Sequence, residues 1–275
     1  MNLSFIGGGN MATALIGGLV ARGSQPREFR VVEPFREQQD KLSAHFPGIG
    51  IFGDATAGAI DGADIVVIAV KPQQMRVAAR ALAPFIAPVP VVMTIAAGTR
   101  IADLSRWLGG YARIVRAMPN TPALIGAGIS GAYAPAAVTP AGHRLAGNVL
   151  EAAGTVVWVE HEDMLDAVTG VSGSGVAYVF YFLEGLEQAA REMGFSRDEA
   201  RRLTYATFAG AIRLAQASDL EPGILRAQVT SKGGTTERAL SVMEANCVKG
   251  KFIEAVKAAA ARAHELGDEL GRDEI

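Results

Sequence analysis

LSFIGGGNMATALIGGLVARG, Leu3 to Gly23, decides how this chain is read. An apolar run leads into three glycines, and small and apolar residues at helical spacing follow. Strand, turn and helix succeed one another without a gap. Gly7, Gly9 and Ala12 stand at the G-x-G-x-x-G/A spacing. In such a turn the first glycine permits the tight bend and the second lets backbone approach a pyrophosphate. The third small residue lets helix pack closely on strand. The helix N-terminus then offers unpaired N–H groups and the positive end of its dipole to phosphate. A bare glycine pattern is weak evidence, but here strand, turn and helix agree with it. Gly7, Gly8, Gly9, Asn10 and Met11 are therefore expected to hold a dinucleotide.

The rest of the groove follows from that placement. Glu33 closes the second strand, where an acidic side chain can accept from the adenosine ribose hydroxyls. A carboxylate there favours NADH, whereas Arg36, three residues on, could receive the 2′-phosphate of NADPH. The sequence leaves both cofactors open, and either charge could simply be solvated. ADIVVIAVKPQ, Ala63 to Gln73, is a strand running into Lys71–Pro72, with proline suited to a first helical position. Ala69, Val70, Lys71 and Pro72 are expected along the ribose-phosphate, although a lysine just past a strand is usually solvated. TIAAG, Thr94 to Gly98, brings Ala96 and Ala97 to the end of the next strand, small enough for a nicotinamide to approach. MPNTP, Met118 to Pro122, is too rich in proline for a helix or central strand. A rigid loop lining the groove and a plain turn both fit it.

Short β-type runs at Asn2–Ile6, Phe29–Val32, Ile65–Val70, Val91–Thr94, Arg113–Met118, Gly128–Ala134 and Thr155–Val159 alternate with helical patterns. Those patterns lie at Ala12–Arg22, Arg36–His45, Pro72–Ala87, Ile101–Leu108 and Pro140–Ala153. Nearly continuous apolar strands of this kind belong in a parallel sheet covered on both faces. After about Glu162 the pattern is helical throughout. It runs Val176–Met193, Ser196–Ser218, Glu221–Gln228, Thr236–Ala245 and Lys249–Gly267, and Ser196 with Glu199 forms a capping box. The expected architecture is α/β: an N-terminal Rossmann-type doubly wound sheet over residues 1–161, and a C-terminal all-α dimerisation domain over 162–275. The Val176–Met193 helix is apolar nearly all round in its first turns, which suits burial between subunits.

Bulk properties exclude several classes. Hydrophobic residues make up 49% of the chain and charged residues 20%. Such a chain can build a large core and is not disordered. Basic and acidic residues nearly balance at a net charge of −2, which leaves no electrostatic footprint for nucleic acid. The lone Cys247 and the scattered His45, His143, His161 and His264 lack metal-ligand spacing, so no metal is expected. Prolines interrupt the uncharged runs, and lipid-spanning helices rarely look like that. No basic n-region precedes the glycine loop, so a signal peptide is not expected. A cytoplasmic protein in a reducing compartment is the expectation.

Two hydroxyl-rich loops stand in the helical half. VSGSG, Val171 to Gly175, precedes the apolar helix, with Ser172 or Ser174 as candidate N-caps. VTSKGGTTERAL, Val229 to Leu240, packs small and hydroxyl residues before a helix at Thr235 or Thr236. Successive N–H groups there form an anion-binding concavity. No strand precedes it, so a small carboxylate suits it better than a nucleotide phosphate.

GGGNMA, AVKP, AAG, RAMPNTP, VSGSG followed by AYVF, and VTSKGGTTERAL occur in that order along the chain. Together they resemble pyrroline-5-carboxylate reductase over essentially the whole chain, and the last motif is the most specific. The resemblance implies NADPH- or NADH-dependent reduction of Δ1-pyrroline-5-carboxylate to L-proline, the last step of proline biosynthesis. It implies a substrate loop of Ser231, Gly233, Gly234, Thr235 and Thr236. Backbone at Thr235 and Thr236 would hold the carboxylate, and the Thr236 hydroxyl, the catalytic candidate, would face the ring nitrogen. Glu162 is implied beside the substrate, and Thr56, Asn120 and Gln228 beside the cofactor. Homodimers through the C-terminal helices, often assembled into decamers, are implied as well. Two departures stand out: Val176 and Lys232 occupy positions where the family commonly has proline.

The chemistry agrees with that resemblance. Ketone reduction needs an acid such as His or Lys to protonate a developing alkoxide. A cyclic imine can be protonated before reaction, so positioning and exclusion of water supply much of the remaining catalysis. The helical half has no histidine in a site-like motif. Dehydrogenases of similar build that act on β-hydroxy acids tend to carry a lysine in the first helix of the helical domain, and Val176–Met193 has none. A nucleotide-sensing protein with a degenerate site is the reading from another class, and the intact glycine and SKGGTT loops speak against it.

Overall fold

Short apolar runs become strands here because helices cover both of their faces. The computed structural model describes residues 1–272 of the chain. In order it has β1 (Leu3–Ile6), α1 (Asn10–Ala21), β2 (Phe29–Val32), α2 (Arg36–His45), β3 (Gly50–Phe52), α3 (Ala57–Ile60), β4 (Ile65–Ile68), α4 (Met75–Leu82), β5 (Val91–Thr94), α5 (Ile101–Trp107), β6 (Ile114–Met118), β7 (Gly128–Tyr133), α6 (Pro140–Glu151), β8 (Gly154–Trp158) and α7 (Met164–Val168). The eight strands form one sheet in the order β3-β2-β1-β4-β5-β6-β7-β8. The order reverses between β1 and β4, and ligands bind at the carboxyl ends of strands at such a switch point.

Every residue of β1, β4 and β5 is buried. Alternate side chains feed two cores. Leu3 and Phe5 join Leu15, Ile16 and Val149 on one face. Ile6, Ile68 and Val92 join Leu82 and Leu104 on the other. Ser4, the buried polar residue of β1, donates to the Ala59 carbonyl at 2.6 Å, so its burial leaves no hydroxyl unpaired.

The sheet departs from the parallel expectation at one place, because β6 and β7 pair antiparallel, with Arg116 opposite Tyr133. The segment between them holds only a 3-10 turn at Thr121–Ile125, too short for a parallel crossover. Pro122 sits in the first turn of that 3-10 segment, so MPNTP is part loop and part short helix. The expected Pro72–Ala87 helix is shorter too: 3-10 turns at Pro72–Gln74 and Ala83–Phe85 flank α4, each with a proline in its first turn. β3, α3 and α7 are additions to the expected elements; at three to five residues, none carries a readable period.

Contacts divide the chain into two compact units, residues 1–174 with those from Ala258 on, and Gly175–Lys257. The expected domain boundary at 161–162 follows the last strand, whereas α7 stays with the sheet. Gly131 on β7 leaves no room for a methyl group against Val168, which accounts for that packing.

The second unit is all helix: α8 (Gly175–Glu192), α9 (Arg197–Gln216), α10 (Pro222–Gln228), α11 (Thr235–Ala245) and the first part of α12 (Val248–Gly271). The Ser196–Glu199 capping box opens α9 as expected. Ala190 is the sole buried residue of α8. Phe180 and Tyr181 stand 62% and 72% exposed, so the burial expected for this helix is not supplied within one chain. Among the described residues no helix is long and apolar enough to cross a membrane.

Candidate active site

The glycine turn has the geometry its spacing implies. Gly7 has φ +94°, and a Cβ there would lie 2.8 Å from the Ala69 carbonyl oxygen. Only glycine lets β1 turn so close to the end of β4. Ala12 is fully buried where α1 meets the sheet. Gly9 is different, since a Cβ on it would meet nothing within 4 Å. Its smallness faces open space, as a closely approaching pyrophosphate requires. No side chain caps α1, which starts at Asn10, and no acidic residue stands in its first turn. Asn10 is exposed and Met11 half-buried. This unblocked, dipole-positive helix end fits a dinucleotide.

Glu33 is buried at the end of β2, and its carboxylate has two backbone partners. It accepts from Gly8 N–H at 2.9 Å and from Phe35 N–H at 3.0 Å. Gly8 is tightly held: a Cβ would come within 2.5 Å of Leu42, and its carbonyl accepts from Gln38 Nε2 at 2.5 Å. Arg36 lies on the surface at the start of α2 and pairs with Asp40 one turn on, at 3.0 Å. Thr56 is exposed at the N-cap position of α3 without a side-chain cap bond.

Ala69 and Val70 follow β4, half-buried, with Ala69 against Gly7 and Lys71 exposed before Pro72. Ala96 and Ala97 follow β5. The adjoining Gly98 has φ +70° and packs against the end of α12, its Cβ direction 3.1 Å from Leu270 and 3.5 Å from the Gly267 nitrogen. The small residues of TIAAG thus admit a helix of the protein itself at Gly98. Asn120 is a bolt within the first unit. Its Oδ1 accepts from Ile129 N–H at 2.9 Å and its Nδ2 donates to the Ser172 carbonyl at 3.3 Å.

In VSGSG, Ser172, one of the two candidate N-caps, does not act as one. Thr169–Gly173 forms a π-helical turn, with Ser174 N–H donating to the Thr169 carbonyl at 2.8 Å. The Ser172 hydroxyl donates back to the Val168 carbonyl, so it caps nothing. Single π turns of this kind occur frequently at functional sites.

Glu162 has specific work within the first unit. Its Oε1 accepts from Ile101 N–H at the start of α5 at 2.8 Å and meets Arg116 Nη1 at 3.2 Å. Arg116, on β6, also holds Asp166 at 3.0 Å, and Asp166 meets His264 Nδ1 of α12 at 3.2 Å. Sequence motifs do not single out Arg116, Asp166 or His264. One signal is present: Arg116 is the single charged residue inside the apolar strand run IVRAM.

In the second unit the SKGGTT loop is a type II turn running into α11. Gly234 N–H donates to the Ser231 carbonyl at 3.0 Å, closing the turn over Lys232 and Gly233. Gly233 has φ +72°. It supplies the left-handed residue that type II requires at its third position. Gly233 N–H is taken by Glu237 Oε2 at 2.7 Å. No side chain caps α11, so the amides of Thr235 and Thr236 begin an open helix N-terminus. Gln228 closes α10 on the surface.

A doubly wound sheet with an open glycine turn at its switch point, joined to an all-helical unit, defines a two-unit oxidoreductase that uses NAD(P)H. The particular family is given by kinship. The chain is 43% identical to the pyrroline-5-carboxylate reductase of Pseudomonas aeruginosa, over 98% of each chain. It superposes on the Coxiella burnetii enzyme of that name with a TM-score of 0.89, at 38% identity over 96% of this chain and 98% of that one. A Plasmodium falciparum pyrroline carboxylate reductase with NADP bound gives a TM-score of 0.86 at 26% identity, covering 97% and 98% of the two chains. Residues 162–266 match the family described as pyrroline-5-carboxylate reductase dimerisation. Residues 2–98 match that described as NADP oxidoreductase coenzyme F420-dependent. The chain belongs to the pyrroline-5-carboxylate reductase family.

Proposed function

We propose that this chain reduces Δ1-pyrroline-5-carboxylate to L-proline with NAD(P)H. Kinship at 43% identity across 98% of both chains is the observation that carries this reading. NAD(P)H, when bound, supplies the hydride that the C=N carbon accepts, while the ring nitrogen keeps the proton it carries as an iminium. Gly7, Gly9 and the first amides of α1 hold the pyrophosphate. Ala69, Val70, Lys71, Pro72, Ala96 and Ala97 border the dinucleotide, and Gln228 and Thr56 belong to the same group of contacts. The amides of Thr235 and Thr236 hold the substrate carboxylate. Ser231, Gly233 and Gly234 fix the turn that presents those amides, and Glu237 takes the Gly233 N–H out of the ligand's reach. The Thr236 hydroxyl orients the ring nitrogen. Such orientation, rather than an acid of matched strength, is what an already protonated imine needs. Glu162 works by position, through Ile101 and Arg116.

Homodimers through the helices of the second unit, assembled further into decamers, are the proposed oligomers. The exposed apolar side chains of α8 and α9 support dimerisation, and light scattering after size exclusion reads the state. The cytoplasm is the proposed compartment, in keeping with the single exposed thiol of Cys247. The test of function is turnover of racemic pyrroline-5-carboxylate by purified protein with each reduced nucleotide in turn. Proline should accumulate with at least one of them, and no proline with either contradicts the proposal.

A further inference from the structure

Glu33 stands at the end of β2, with its carboxylate against the glycine loop. Glu33 is only 6% exposed, and each carboxylate oxygen accepts one backbone N–H, from Gly8 at 2.9 Å and from Phe35 at 3.0 Å. The Glu33 carbonyl is fixed as well, accepting from Gln39 Nε2 at 2.6 Å. Gln38, its neighbour on α2, holds the Gly8 carbonyl at 2.5 Å. The carboxylate is therefore a built part of the glycine loop and cannot swing away from an arriving ligand. Each of its oxygens keeps a lone pair beyond those bonds, enough to accept from a ribose hydroxyl.

A 2′-phosphate at this end would need a fixed cation, and neither backbone partner of the Glu33 carboxylate is one. Arg36 lies on the exposed face of α2 with its Nε 3.0 Å from Asp40, and its side chain is 83% exposed. An arginine so placed is a solvated surface charge, whereas Glu33 is fixed and shielded from water. Fixed charge at low exposure is screened less than mobile charge in solvent.

We infer that this enzyme takes NADH in preference to NADPH, and that Glu33, held by the Gly8 and Phe35 amides, makes the choice. The inference rests on the reading of the glycine loop as the dinucleotide site, and it concerns binding, so it can be measured apart from turnover. Calorimetric titration of the purified full chain with NAD+ and with NADP+ gives the two dissociation constants. NADP+ should bind at least about tenfold more weakly. Equal or tighter binding of NADP+ overturns the inference. Glu33→Gln should bring the two constants to within about threefold of one another, and a variant that retains the wild-type discrimination overturns it.

Because the side-chain amide of that variant would confront a backbone N–H, it can lose the loop's shape, and a second variant tests the same point from the other side. Arg36→Ala should leave the affinity for NADP+ within about twofold of wild type. A tenfold loss would make Arg36 the phosphate ligand and overturn the inference. Failure of the proposed reaction looks different: NAD+ would bind, yet pyrroline-5-carboxylate would not turn over with either reduced nucleotide.

Discussion

Lys232 occupies the second position of a type II turn, and that explains why proline is acceptable there. Proline presets φ at about −65°, close to what the second residue of such a turn adopts. The turn is closed by Gly234 N–H rather than by Lys232 N–H, so a residue without an N–H costs it nothing. Lys232→Pro should therefore raise stability by about 0.4–1 kcal/mol by restricting the unfolded chain. Thermal or denaturant unfolding would show it, and a destabilised variant would contradict the turn assignment. Thr236 is tested at the same scale. Thr236→Ala should lower kcat/KM for pyrroline-5-carboxylate by about tenfold to a hundredfold, the worth of one hydrogen bond to a charged group. Nucleotide affinity should remain unchanged. A loss confined to nucleotide binding would assign the loop to the wrong ligand.

At the scale of elements, the end of α12 is a structural member of the first unit. Arg100 meets Asp268 at 2.6 Å, His264 meets Asp166, and Gly267 lies close against the Arg100 guanidinium. The Arg100 hydrogen bond holds the Asp268 carboxyl below its ordinary value. A depressed carboxyl stabilises the fold above the ordinary carboxylate range, and that contribution is lost as pH falls through the lowered value. Melting temperatures of wild type should therefore fall more steeply below roughly pH 4 than those of Asp268→Asn. Identical acid limbs would show that the contact does not hold α12. None of this was legible in advance, because the partners lie far apart in sequence. What was legible was local: the β1–α1 turn, the Ser196 capping box and the apolar strands each carry their reason in neighbouring residues. VSGSG stays open in the sequence for the same cause. Its serines look like caps locally, yet the backbone continues as a π turn because Ser174 N–H finds the Thr169 carbonyl. The resemblance names Glu162, whereas no local motif names Arg116, because the carboxylates it meets, Glu162 and Asp166, lie 46 and 50 residues away.

For the whole molecule, the second unit leaves many large apolar side chains in solvent. Phe180, Tyr181, Ile212 and Leu214 are all more than half exposed, within the stretch that matches the dimerisation family. Phe180→Glu should weaken self-association by roughly tenfold or more, seen as a shift toward monomer on dilution in light scattering. An unchanged oligomer would move the interface elsewhere. Hydride transfer to the imine is what the whole molecule is built to perform, and an isotope follows it directly. The measurement uses nicotinamide nucleotide deuterated at the transferable position, with pyrroline-5-carboxylate as substrate and NMR of the product. L-proline carrying one deuterium on the carbon that was doubly bonded to nitrogen is the expected result. Unlabelled proline, or no proline at all, would contradict it.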